Sequence, residues 1–160
     1  MRGCSKMKLE KSNMSMIEVE ASILNSDPYY NRIAKDKEIL TMKEIKAEIH
    51  ESLELGVERY LLKEEGEYVG ILEILMRNPN DGYTWLGLLE IKKEHQGKGY
   101  GYKALNLFYD MMRVRQVERF RLGVISENKP GHRFWRRQGM KPVKFTMKDN
   151  KEIVIYEKKI

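Results

Sequence analysis

The segment that most limits the fold of this chain is residues 88–101, where an apolar run meets three glycines and a helical pattern follows. These glycines, Gly97, Gly99 and Gly101, stand at alternate positions. Glycine adopts positive φ angles that other residues avoid, so it allows a tight turn between a strand and a helix. The amides of such a turn and the positive end of the helix dipole attract anions. The segment therefore predicts a strand–turn–helix unit with a phosphate site; a tight turn without a ligand is the alternative.

Two well-known phosphate-binding motifs do not fit this turn. The nucleotide P-loop requires Ser or Thr after its Gly-Lys pair, whereas Gly99 follows Gly97 and Lys98. The dinucleotide motif G-x-G-x-x-G requires a third glycine at the position of Tyr102. The sequence therefore excludes both of these nucleotide-binding classes.

The remainder of the chain has the mixed order of an α/β protein. Apolar, β-branched and aromatic runs predict strands over residues 59–63, 68–76, 83–91, 119–125, 143–147 and 153–157. Apolar residues at helical spacing predict helices over residues 16–24, 41–56, 101–115 and 128–139. Thr41 and Glu44 have the spacing of a capping box at the start of the second helix. The predicted order of elements is ααβββαβαββ.

Composition narrows the function classes further. The chain has 160 residues, the length of one domain, and its 30 Lys and Arg outnumber its 24 Asp and Glu to give a net charge of +6. That excess favours anionic partners. A single cysteine, Cys4, forms no internal disulfide, and no signal peptide or apolar membrane span is visible. The histidines lack the spacing of metal ligands. We therefore expect a cytoplasmic protein with no metal and no membrane partner.

The glycine segment and the residues after it carry a family resemblance. Residues 96–101 match the pattern Q/R-x-x-G-x-G/A, and Asn128, Phe134, Trp135 and Gly139 follow in the order of a second signature. The sequence here resembles the GCN5-related N-acetyltransferase (GNAT) superfamily. The resemblance implies a mixed, mostly antiparallel sheet flanked by helices, in which strands four and five splay to form a cofactor cleft. We expect one domain over residues 1–160.

Within that domain, the resemblance is strongest after about residue 58. Residues 58–160 are expected to form the cofactor-binding core. Residues 1–57 are expected to be a helical, divergent region on the acceptor side, and no first strand is recognisable there. A homodimer that shares the acceptor pocket is one alternative that the sequence leaves open.

The resemblance also implies how acetyl-CoA binds as co-substrate. The turn amides would hold the pyrophosphate, the backbone of strand four would pair with the pantetheine arm, and side chains after strand five would contact its far end. The implied cofactor residues are Leu89, Glu90, Ile91, Gln96, Gly97, Lys98, Gly99, Tyr100, Gly101, Asn128 and Phe134.

Trp135 and Glu73 are the candidate catalytic residues. Many relatives have a tyrosine acid where this chain has Trp135, whose indole N–H is not a usable acid. Glu73 is the candidate base, because apolar neighbours make a carboxylate more basic, with a solvent-facing strand position as the alternative. Glu90 also interrupts an apolar run, and we expect it to pair with an arginine of a neighbouring strand.

The function expected from this resemblance is transfer of an acetyl group from acetyl-CoA to a primary amine, by direct attack in a ternary complex. The alternative is an acyl-CoA sensor of the same fold without turnover, since the usual acid and base positions are not matched. Arg133, Arg136 and Arg137 form a basic segment, but no aromatic stacking surface accompanies it. We therefore expect no nucleic-acid partner.

Overall fold

The chain is built around one sheet, and this computed structural model describes residues 6–160, so Cys4 lies outside the described residues. The strands are β1 (Lys8–Lys11), β2 (Glu58–Glu64), β3 (Glu67–Leu75), β4 (Thr84–Ile91), β5 (Arg119–Ile125), β6 (Lys141–Lys148) and β7 (Lys151–Lys159). They lie in the order β1-β2-β3-β4-β5-β7-β6, and all neighbours are antiparallel except β4 and β5. The predicted mixed, mostly antiparallel sheet is confirmed.

Helices cover both faces of this sheet. They are α1 (Ile17–Leu24), α2 (Pro28–Lys35), α3 (Met42–Glu54), α4 (Tyr100–Val114) and α5 (Lys129–Arg137). Ile23 of α1 packs on Leu61 and Ile71, which defines one face. Leu62, the neighbour of Leu61, points the opposite way into the cluster formed by α4. We call these the α1 face and the α4 face.

The capping box predicted for α3 is present. The backbone amide of Glu44 donates to Thr41 Oγ1 at 3.1 Å, and the Thr41 amide donates to Glu44 Oε1 at 2.8 Å. These bonds satisfy two amides that would otherwise lack partners at the helix start. Ile45 and Ile49 are buried one turn apart, as the helical spacing predicts.

The N-terminal region contains two elements that the sequence did not predict. The expectation that no strand precedes the first helix is wrong, because β1 pairs with β2 through Leu9 and Leu62. With Leu9 as its one apolar residue, β1 lacks a hydrophobic pattern and depends on its partner strand. Helix α2 lies between the first two predicted helices, where no element was predicted. Asp27 caps it by accepting from the Tyr30 amide at 3.2 Å, and Pro28 occupies its first turn.

A buried cluster of charges connects α1 to the sheet. Arg59 of β2 lies between Glu20 of α1 and Glu73 of β3 and forms an ion pair with each. Their side chains are 7%, 2% and 14% exposed. Ser12 Oγ donates a further hydrogen bond to Glu20 Oε2 at 2.6 Å. Because charges buried without partners are costly, each of these three groups depends on the others.

Replacing Arg59 with Met should therefore destabilise the fold strongly, because it leaves two carboxylates buried without a cation. We expect the free energy of unfolding in urea to fall by about 3–5 kcal/mol. Arg32→Met is the matched control, since Arg32 pairs with Glu38 and both side chains are 59% exposed. That change should cost less than about 1 kcal/mol. Equal losses in the two variants would contradict this role of the cluster.

Candidate functional site

The sheet opens between β4 and β5. These two strands pair only at Thr84–Phe120 and Trp85–Arg121, whereas β4 stays paired with β3, and β5 with β7, to their far ends. Beyond the two paired positions the strands diverge, and a cavity of about 610 Å³ lies between them. We call this the β4–β5 cleft. The predicted splay of strands four and five is confirmed.

Most of the predicted site residues line this cleft. They are Leu89, Glu90, Ile91, Gln96, Gly97, Gly99, Tyr100, Gly101, Asn128, Phe134 and Trp135. Lys98 is exposed on the turn and is not part of the lining. The structure therefore brings together residues from β4, the turn, α4 and α5 that are up to 46 positions apart in the sequence.

The turn after β4 has the conformation that its glycines predict. Gly97 has a φ of +79° and Gly99 a φ of +81°, both in the left-handed region. Helix α4 starts directly after Gly99, and no side chain of the described chain caps its first amides. The amides at the start of a 15-residue helix thus stand at the cleft without a side-chain partner from residues 6–160. This geometry can bind an anion.

Helix α5 forms another wall of the β4–β5 cleft. Asn128 Oδ1 caps it by accepting from the Gly131 amide at 3.1 Å. Phe134 and Trp135 pack edge to face with ring centroids 4.9 Å apart. A Cβ atom on Gly101 would lie 3.2 Å from the Phe134 ring, so the missing side chain permits α4 to approach α5 closely. Helix α5 thus presents two packed aromatic rings to the cleft.

Glu73 does not lie in the cleft. Its side chain points to the α1 face, where it pairs with Arg59, and it is absent from the cleft lining. The sequence suggested a carboxylate among apolar neighbours or one facing solvent. The structure instead gives Glu73 a buried ion pair with Arg59, and its role as a base stays a prediction. Arg59 is the residue from which this ion pair could have been predicted. Its position opposite Glu73 depends on the antiparallel register of β2 and β3, which the sequence does not show.

Glu90 is the carboxyl group that the cleft does contain. It is 7% exposed, and neither of its carboxyl oxygens has a hydrogen-bond partner among residues 6–160. The arginine pairing expected for Glu90 is therefore wrong. Burial, and to a lesser extent the nearby charge of Asp27, raises the pKa of Glu90 to about 8. Glu90 is thus a proton-holding group at neutral pH in the wall of the cleft.

Asp27 and Tyr30 lie beside Glu90 on the α2 side. Besides capping α2, Asp27 accepts from Gln96 Nε2 at 3.2 Å, which connects α2 to the glycine turn. Burial and the charge of Glu90 raise the pKa of Tyr30 to about 12. Both residues line the cleft. Sequence reasoning missed them because they precede the region that the motifs cover.

Neither a membrane-spanning helix nor a cluster of metal ligands is found in the described part of the chain. No helix within residues 6–160 is both long and apolar enough to cross a membrane. Within the same residues, no group of three or more His, Cys, Asp and Glu side chains could hold a metal ion.

Comparisons with known proteins agree with this architecture. The family model described as the acetyltransferase (GNAT) family matches residues 21–140. No curated protein matches the chain. Among solved structures, an acetyltransferase from Thermus thermophilus is similar with a TM-score of 0.81 and 22% identity, over 97% of each chain.

Two further similar structures have named acceptors. The acetyl transferase from Salmonella typhimurium that modifies the N-terminal serine of ribosomal protein L7/L12 has a TM-score of 0.79 and 14% identity, over 97% of this chain and 95% of that one. Spermidine N-acetyltransferase from Vibrio cholerae, solved with CoA and spermine, has a TM-score of 0.73 and 13% identity, over 96% and 95%. At these identities the likeness concerns the fold.

The buried state of Glu90 predicts a specific pH dependence of stability. The folded chain keeps this proton up to about pH 8, whereas an unfolded glutamate loses it near its ordinary pKa of 4.5. Between these values the folded state binds more protons, so the unfolding free energy contributed by Glu90 falls as pH rises. Glu90→Gln removes this loss and should be more stable than the parent at pH 8.5, by on the order of a few kcal/mol.

The advantage of Glu90→Gln should shrink towards zero as pH falls through this window to about 4.5, and urea unfolding at several pH values measures it. Glu118→Gln, the same change at an exposed position, is the control and should parallel the parent throughout. Parallel profiles for Glu90→Gln and the parent would show that the carboxyl is not held in its protonated form.

Proposed function

Because this chain belongs to the GNAT acetyltransferase family, we propose that it binds acetyl-CoA in the β4–β5 cleft and transfers the acetyl group to a primary amine. The observation that carries the proposal is the cleft itself, one end of which is a glycine turn with uncapped helix amides. A phosphate-bearing ligand fits that end and an extended arm fits the gap. Residues 1–160 act as one domain, in which residues 58–160 hold the cofactor and the N-terminal helices face the acceptor.

The cofactor contacts follow from the position of each element. Amides of residues 97–101 hold the pyrophosphate, with Gln96 beside them and Lys98 adding charge from the surface of the turn. The inner edge of β4 at residues 89–91 has no partner strand across the cleft within the described chain, so its backbone can pair with the pantetheine amides. Asn128 and Phe134 contact the arm from the α5 side.

The acyl transfer needs little more than position and a hydrogen bond. Bound acetyl-CoA supplies a thioester carbonyl. The acceptor ammonium loses one proton to water, and the neutral nitrogen then attacks this carbonyl directly. The nitrogen loses a second proton to water as the C–N bond replaces the C–S bond and the CoA thiolate leaves. The backbone around Gly87 stabilises the negative charge that develops on the carbonyl oxygen. There the register skips a residue, since Glu73 pairs with Leu88 and Ile74 with Leu86, so Gly87 is left out of the β3 pairing and lines the cleft. Trp135 positions the sulfur and gives no proton, so the thiolate takes one from water.

The anion end of the cleft is tested by Gly99→Glu. This change puts a negative charge and a side chain where the phosphate binds, so we expect calorimetry to detect no CoA binding. Gly66→Glu is a closely matched control, because Gly66 also has a φ of +81° and open space around it but lies in the β2–β3 turn. Both variants carry the same backbone strain. If Gly99→Glu binds CoA as tightly as Gly66→Glu does, the phosphate assignment is wrong.

Turnover is tested by thiol release from acetyl-CoA with a panel of primary amines. We expect at least one aliphatic amine to accelerate the release of CoA and to appear as its N-acetyl derivative in mass spectrometry. Tight CoA binding with no release for any amine would instead support the acyl-CoA sensor. The Gly99→Glu protein serves as the inactive reference in this assay.

A further inference from the structure

The Glu90 side chain points to the opposite face of the sheet from the side chains of Leu89 and Ile91, its neighbours in β4. Glu90 pairs with Ile71 of β3, and Ile71 packs under Ile23 on the α1 face. Opposite residues in an antiparallel pair share a face, so the Glu90 carboxyl also points to the α1 face. Leu89 and Ile91 pack in the α4 cluster instead. The cleft thus has an α4 side with the glycine turn and an α1 side with Glu90.

The α1 side of the cleft is acidic and aromatic. Asp27, Tyr29 and Tyr30 of the α2 segment line it with Glu90. Glu90 has no hydrogen-bond or ion-pair partner within the described residues, although its side chain is almost wholly buried. A buried carboxyl group without a partner has lost its hydrogen bonds to water and gained none in return. A bound cation with N–H donors would supply hydrogen bonds to it. Aromatic faces attract the same kind of cation.

We propose, building on the proposed acetyl transfer, that Glu90 binds an ammonium group of the acceptor and makes the enzyme selective for cationic aliphatic amines. Asp27 contributes a second negative charge, and Tyr29 and Tyr30 contact the aliphatic part of the same molecule. The acceptor then enters from the α1 side while the anionic cofactor occupies the α4 side. Glu90 is here a specificity-determining residue, and the reacting nitrogen lies nearer Gly87.

The titration of Glu90 gives this proposal a signature that a structural role would lack. The free carboxyl has a pKa of about 8, so below this pH an ammonium group can pair with it only after its proton leaves to solvent. Groups that face it are Asp27 and Tyr30 from α2, with Glu48 of α3 acting on Tyr30. His95 and Lys93 line the cleft on the turn side. Cation binding should therefore tighten by roughly 20-fold between about pH 6.5 and about pH 8.5.

The experiment compares a diamine with the diol of the same carbon skeleton. Protein saturated with CoA is titrated with 1,4-diaminobutane or 1,4-butanediol in a calorimeter, at both pH values. We expect the diamine to bind and the diol not to bind. At pH 8.5, Glu90→Gln should weaken diamine binding by about 10- to 100-fold, the worth of a hydrogen bond to a charged group. The loss should be smaller at pH 6.5, because the variant lacks the pH dependence of the parent.

Two further variants make the outcome decisive. Asp27→Asn keeps a residue that can cap α2 and should weaken the diamine by a smaller factor than Glu90→Gln. Glu118 is exposed and does not line the cleft, so Glu118→Gln should bind the diamine like the parent. Unchanged diamine affinity in Glu90→Gln, or loss without any change in the pH profile, would overturn the proposal. CoA affinity is measured first for every variant, so that a failure of the cofactor site is recognised separately.

Discussion

The separation of β4 from β5 is the constraint on which the rest of this molecule depends. Two parallel strands that pair at only two positions leave their inner edges open, and each must be held from outside. Strand β3 holds β4, and β7 holds β5 along its whole length. Without those antiparallel partners the gap would close or the sheet would come apart, because unpaired backbone groups away from water are costly. The cleft is therefore a property of the whole sheet.

The cleft has an anion-binding side and an acidic side, which the net charge of +6 does not show. The excess of basic residues suggested an anionic partner, and the glycine turn gives such a partner a position. The carboxyl groups of Glu90 and Asp27 lie on the other side of the same cleft. An anion on one side and a cation on the other would bring opposite charges towards the gap from two directions, which favours a ternary complex over binding of either partner alone.

The parts of this structure that the sequence predicted are those with a local cause. Gly97 and Gly99 have positive φ because no other residue adopts it easily, and Thr41 and Glu44 are close enough to cap a helix by themselves. The placement of the carboxyl groups has a distant cause. In an unbroken strand Leu86, Leu88 and Glu90 would share a face. The irregularity at Gly87 instead sends Leu86 to the α4 face and Leu88 to the α1 face. A glycine within a strand is a common sign of such a bulge, but it does not fix the faces of the residues after it.

Glu73 and Glu90 show how the partners of a buried carboxyl group indicate its role. Both interrupt apolar runs and both point to the α1 face, so composition and period alone cannot separate them. Arg59 compensates the charge of Glu73, and the resulting cluster fastens α1 to the sheet. No group within residues 6–160 compensates Glu90, so its contribution to the stability of the fold falls as the pH rises from about 4.5 to about 8. A group that weakens the free protein and lines its open cleft is best explained by a ligand that completes it.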